Sequence, residues 1–144
     1  MAPAVAKPLL TPVQGVVLHY LPLVEERRGM LSYAEVERHV PFAIQRYFLV
    51  YRVPARQVRG EHAHRTQHQF LVCVHGRCSV TVDDGVNRQE VKLDAPHIGL
   101  HIPPMTWASE HHYSRDAVLM VLASGEYDRA DYIESYTDFL ASKI

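Results

Sequence analysis

The chain has 144 residues, enough for one domain that buries a core without disulfide or metal staples. Its net charge of −1 excludes broad electrostatic binding to nucleic acid or anionic membrane, and 47% hydrophobic with 22% charged residues is the balance of an ordinary globular protein. The two cysteines, Cys73 and Cys78, form no CxxC or other metal spacing, so buried free thiols in a reducing compartment are expected.

Residues 1–14 are rich in Ala and Pro. They lack the basic start and apolar core of a secretion signal, so a flexible tail is expected there, with a single domain over residues 15–144. No apolar run approaches the ~20 residues that cross a bilayer, which makes the cytoplasm the expected location. Runs rich in Val, Leu, Ile, Tyr and Phe follow at Val16–Val24, Ala43–Val53, Gln69–Val74, Cys78–Val82, Val86–Leu93 and Val118–Ala123. Turn residues bound them at Gly60, Gly76, Asp84-Gly85, Asp94-Ala95-Pro96 and Pro103-Pro104. Asp84-Gly85 between two such runs predicts a hairpin, and many short strands at this spacing predict a sandwich or barrel. Ser32-Tyr33-Ala34-Glu35 matches a capping box that could open a short helix. From Asp131 the period changes: Tyr132, Ile133, Tyr136, Phe139 and Leu140 fall on one helical face. That spacing predicts a C-terminal amphipathic helix docked on the sheet, with Tyr132 and Tyr136 as packing residues.

Chemistry concentrates in Arg59-Gly60-Glu61-His62-Ala63-His64. Strand residues two apart share a face, so His62 and His64 project together into the barrel, where paired imidazoles can bind a metal or move protons. HxH, four residues, an acidic ligand, six residues and glycine make the first cupin metal motif. Here Gly76 is in place, but Gln69 holds the acidic position, and a neutral amide is a poor ligand for a divalent transition metal. The later Pro-rich turn ends in Ala108, where the second motif has a histidine. A functional metal is therefore not expected; His111 and His112, three and four residues on, are the groups a rearranged site would need.

From about Arg28 to Phe139 the sequence resembles the dTDP-4-keto-6-deoxyglucose 3,4-ketoisomerases, small cupins of deoxysugar biosynthesis. The likeness rests on four signatures in order. These are Arg28-Gly29 with Pro41-Phe42 and Arg46; Arg59-Gly60-x-His62-Ala63-His64 with Gln69, Leu71, Cys73 and Gly76; Leu93, Pro96, Gly99-Leu100, Pro104 and Trp107; and Val121-Leu122-Ala123-Ser124 running to Tyr127-Asp128, Asp131-Tyr132-Ile133, Tyr136 and Phe139. The resemblance implies an all-β cupin jelly-roll barrel with a C-terminal amphipathic helix, a homodimer with exchanged N-terminal strands, a dTDP-linked 4-keto-6-deoxy sugar as substrate, and no metal or other cofactor. It also places Glu35 in a strand, against the capping-box helix.

By position, the resemblance makes His64 a catalytic base, His62 its partner in proton movement and Arg59 a charge-stabilising group. Arg46 and Arg28 are candidates for the pyrophosphate, and Gln69 and Trp107 for the substrate pocket. Phe48 stands where the family carries a tyrosine facing the site, and adjacent Tyr47 must face the other way. His101 replaces a family tyrosine. Three alternatives remain on the sequence: a nucleotide-sugar 3,5-epimerase using a histidine base, an acidic partner and a separate tyrosine; a non-catalytic sugar-nucleotide-binding cupin; and a metal-dependent oxygenase.

Overall fold

Short strands, alternately inward and outward along the outer strands and buried nearly throughout in the central ones, build two facing antiparallel sheets in a computed structural model that describes residues 6–144. In chain order these are β1 (Leu9–Leu10), β2 (Val17–Tyr20), β3 (Leu23–Glu26), β4 (Gly29–Ser32), β5 (Arg46–Tyr51), β6 (Arg59–His64) and β7 (Gln69–His75). There follow β8 (Cys78–Asp83), β9 (Arg88–Leu93), β10 (Ile98–Ile102), β11 (Trp107–His111), β12 (Val118–Ala123), a 3₁₀ turn at Arg129–Asp131, β13 (Tyr132–Ile133) and helix α1 (Tyr136–Ser142). One sheet has the order β1-β2-β10-β7-β12-β5 and the other β13-β6-β11-β8-β9, while β3 and β4 form a separate hairpin. This is the jelly roll that the resemblance implies.

The core lies between the sheets. Leu71, Cys73, Leu100, Leu119 and Val121 of the larger sheet meet Cys78, Val80, Val82, Val91 and Leu93 of the smaller one. Both cysteines are buried free thiols. Asp84-Gly85 does turn a hairpin: Asp83 pairs with Arg88, and the Asp84 carboxylate accepts from the amides of Val86 and Asn87. On the outer face of the smaller sheet, α1 seats the fully buried Phe139 against Ala63 and Ile133.

Several expectations fail for local reasons. Residues 9–14 are not a loose tail: β1 pairs with β2, Val13 is buried, and the Gln14 amide donates to Asp84; residues 1–5 lie outside the described residues. The capping-box segment forms neither a helix nor a strand at Glu35, because the Glu35 amide donates to the His39 ring and Val36 bridges Val40 across a turn. The C-terminal helix starts later than its apolar spacing suggests. Ser135 caps it by accepting from the Asp138 amide, so Tyr132 and Ile133 are free to pair as a strand with β6. β10 and β11 fall outside the apolar runs; β11 reads Trp-Ala-Ser-Glu-His because its inner residues line a polar cavity.

Candidate active site

β6 reaches its neighbours through a bulge. Ala108 pairs with His62 and Glu110 with Arg59, so the strand carries one extra residue at Gly60-Glu61, both with positive φ. Gly60 is required there: at φ +92° a Cβ would also overlap the Glu110 carboxylate. The Gly60 carbonyl accepts from His62 Nδ1. On the other side of β6, Tyr132 of β13 pairs with His64.

These pairings assemble the aromatic cluster. The His62 and His64 rings stand edge to face, 4.9 Å between centroids, and Tyr132 packs at 4.8 Å from the first and 4.5 Å from the second. His64 Nδ1 donates to Asp131 Oδ2 at 2.9 Å. A carboxylate only accepts, so the proton is on Nδ1 and the neutral ring keeps its lone pair on Nε2. That Nε2 is buried and has no hydrogen-bond partner among the described residues. Asp131 is itself fixed, its Oδ1 accepting from the Thr66 amide at 2.8 Å and the Thr66 hydroxyl at 2.7 Å. Burial alone would raise the Asp131 pKa, but the bonds from Thr66 and His64 hold it below the ordinary carboxylate value. Burial, aided by the charges of His62 and Arg46, keeps the His64 pKa low despite Asp131, so His64 is neutral at pH 7. Burial likewise lowers His62.

His62, His64, Gln67, Gln69, Ala108 and Glu110 bound an interior space of about 10 Å³, room for about one water. Glu110 keeps some exposed surface at its edge, yet the protein around it pushes its pKa up to about 7, against the pull of Arg59. The cation against the histidines is Arg46: its Nη2 donates to Gln67 Oε1 at 3.2 Å, and its guanidinium lies 5.4 Å from the Phe48 ring and 5.9 Å from Tyr127. A cupin metal does not fit this space. Gln69 and Ala108 supply no anionic or imidazole donor at the two remaining cupin ligand positions, so the ligand set is incomplete.

The family model FdtA, described as WxcM-like, C-terminal, matches residues 14–144. The chain belongs to this WxcM-like family. It is 39% identical over 127 residues to TDP-4-oxo-6-deoxy-alpha-D-glucose-3,4-oxoisomerase of Aneurinibacillus thermoaerophilus, spanning 88% of this chain and 91% of that protein. A sugar 3,4-ketoisomerase of Thermoanaerobacterium thermosaccharolyticum, solved with TDP, superposes with a TM-score of 0.87 at 29% identity over 90% of this chain and 95% of its own. The TDP-quinovose 3,4-ketoisomerase of Campylobacter jejuni gives a TM-score of 0.85 at 34% identity, covering 90% and 99%.

Within this WxcM-like chain the structure brings together His62, His64, Gln69, Arg46 and Phe48 on inner faces. It does not bring in three others. Trp107 alternates with inward Ala108, so its ring packs outside the sheet on Tyr136 and Phe139. Arg59 stays exposed at the start of β6 and does not line the cavity. Arg28, at the β3–β4 turn, is exposed and pairs with Glu26 at 2.7 Å. His101 points away from the cavity, its Nε2 2.9 Å from His68 Nδ1 beneath Phe42. His111 and His112 lie outside as well and cannot complete a barrel metal site. Sequence reasoning gave no functional role to Asp131, Thr66, Gln67 and Glu110, and took Tyr132 for a packing residue. The signal for Asp131 and Tyr132 was Ser135 three residues before Asp138, which starts the helix beyond them.

Proposed function

We propose that this WxcM-like chain is a metal-independent 3,4-ketoisomerase that moves the keto group of a dTDP-4-keto-6-deoxyhexose from C4 to C3. The observation that carries the proposal is His64, held by Asp131 with Nε2 free and buried beside His62 and Tyr132. A C4 ketone acidifies the C3 hydrogen. His64 Nε2 takes that proton, and the electron pair left behind forms the C3–C4 double bond of an enediolate. Its charge on O4 is met by a donor, and one such donor is worth about 10²–10³ in rate. Arg46, rather than Arg59, is the cation near enough to contribute. The proton taken from C3 passes from His64 to O4, while His62 takes the O3 proton on Nε2 as the C3 carbonyl forms and delivers a proton to C4. Glu110, poised near pH 7, is the further proton reservoir at the cavity edge. Because the interior holds about one water, the sugar ring lies at the mouth over His62 and His64.

The substrate assignment draws on the relatives named as acting on TDP sugars. A homodimer is supported by the β3–β4 hairpin, which stands apart from both sheets and exposes Met30, Leu31 and Tyr33 beside a cleft of about 500 Å³. Exchange of that hairpin would carry Arg28 toward the partner's sugar nucleotide. The free, buried Cys73 and Cys78 support a reducing compartment, the cytoplasm.

The 3,5-epimerase alternative gains from one observation: His64, Asp131 and Tyr132 are a histidine, an acid and a tyrosine in contact. The product separates the two. Incubation with dTDP-4-keto-6-deoxyglucose and NMR of the product should show a ketone at C3. A retained C4 ketone with inversion at C5 would instead establish the epimerase, and unchanged substrate would overturn both.

A further inference from the structure

On the face of the smaller sheet opposite His62 and His64, β11 ends in His111, followed by His112, while β9 carries Glu90. We propose that Glu90, His111 and His112 bind a divalent transition-metal ion, zinc foremost, at a site separate from the catalytic cavity. Each of the three offers a donor atom, all within 4.8 Å of one another. His111 Nδ1 and His112 Nδ1 are 3.0 Å apart, and Glu90 Oε1 is 3.6 Å from His112 Nδ1 and 3.6 Å from His111 Nε2. Donors at ordinary zinc distances around a tetrahedral ion stand about 3.3–3.5 Å apart, midway between those two values. The Glu90 side chain is exposed, and turning it toward the two Nδ1 atoms would place all three donors on one ion.

The surroundings prepare the ligands. His111 Nε2 bonds Thr81 Oγ1 at 2.8 Å, so the ring is anchored through one nitrogen and turns the other toward His112. Such an outer partner is what fixes the tautomer and orientation of a metal-bound imidazole. His112 has φ +52°, a left-handed turn at the strand end that lays its ring edge to face on His111, 4.6 Å between centroids. Two imidazoles and one carboxylate select zinc, copper or nickel over magnesium and calcium, which prefer all-oxygen sites. Because β8 lies between β9 and β11, the ion would clamp the outer edge of the sheet across that strand. Its role is separate from proton transfer at His64, since alternate β11 residues Ala108 and Glu110 face the cavity instead.

The test is calorimetric titration of untagged, chelator-stripped, full-length protein with zinc chloride. One equivalent should bind, with zinc raising Tm. His112→Ala and Glu90→Gln should each weaken binding at least tenfold, whereas His64→Asn should leave it intact, and millimolar magnesium should not compete. Isomerase turnover of His112→Ala should equal wild type. The proposal falls if no saturable equivalent binds, if His112→Ala binds as tightly as wild type, or if His64→Asn abolishes binding, which would place the ion in the barrel.

Discussion

Asp131→Asn is the perturbation that reaches furthest into the site. Asp131 uses both oxygens as acceptors: Oδ1 for the Thr66 amide and hydroxyl, Oδ2 for His64 Nδ1 and the Gln67 amide. Asparagine offers one acceptor and one donor. Keeping the two Thr66 bonds on its oxygen turns the amide NH₂ toward His64, whose Nδ1 must then accept and whose proton moves to Nε2. The base is lost although the ring stays in place. A positioned general base is worth about 10²–10⁴, so kcat should fall by about 10²–10⁴, or about 2.7–5.5 kcal/mol of barrier, with KM changed little. The assay is product formation from dTDP-4-keto-6-deoxyglucose by NMR, with circular dichroism to confirm folding. In the wild type the acid limb of kcat should lie below pH 6.5, since burial, His62 and Arg46 keep the His64 pKa low. A folded Asp131→Asn enzyme retaining more than a third of wild-type kcat would refute the assigned orientation.

Burial lowers the pKa values of His62, His64, His68 and His101, the last to about 4. The unfolded chain then binds more protons, so this contribution to stability is complete above about pH 6.5 and lost as pH falls toward 4. Tm measured across that window should drop steeply, and His101→Phe should flatten the drop; an unchanged slope would disprove the His101 part. Trp107→Phe should leave kcat within about twofold and cost less than the about 3–5 kcal/mol of a full aromatic truncation, as read from kinetics and urea melts, because Trp107 packs outside the cavity. Phe139→Ala removes a fully buried ring and should cost about 3–5 kcal/mol in chemical denaturation, loosening β13 and hence activity.

The strand carrying His62 and His64, the Asp84-Gly85 hairpin and the inter-sheet core were legible because period-two alternation and turn chemistry act locally. Asp131 was not. It lies 67 residues from His64, and its neighbours Tyr132 and Ile133 fit a helical spacing that the Ser135 cap overrides. Arg59 was placed by resemblance and not by alternation, which would set it on the face opposite His62; the bulge at Gly60-Glu61 instead pairs it with Glu110, at the edge of the cavity. Trp107 follows strict alternation with Ala108, and its side of the sheet could have been counted from the cupin ligand position. Arg46 was identified, but its partner Gln67 lies just outside β7, where no periodicity marks the inward face.

The account stands or falls on His64 as the group that removes the C3 proton. The direct measurement is deuterium incorporation at C3 of dTDP-4-keto-6-deoxyglucose in D₂O, followed by NMR for wild type and for folded His64→Asn. Wild type should exchange C3 and convert the sugar, while His64→Asn should leave C3 fully protonated. Undiminished exchange in His64→Asn would contradict the assignment.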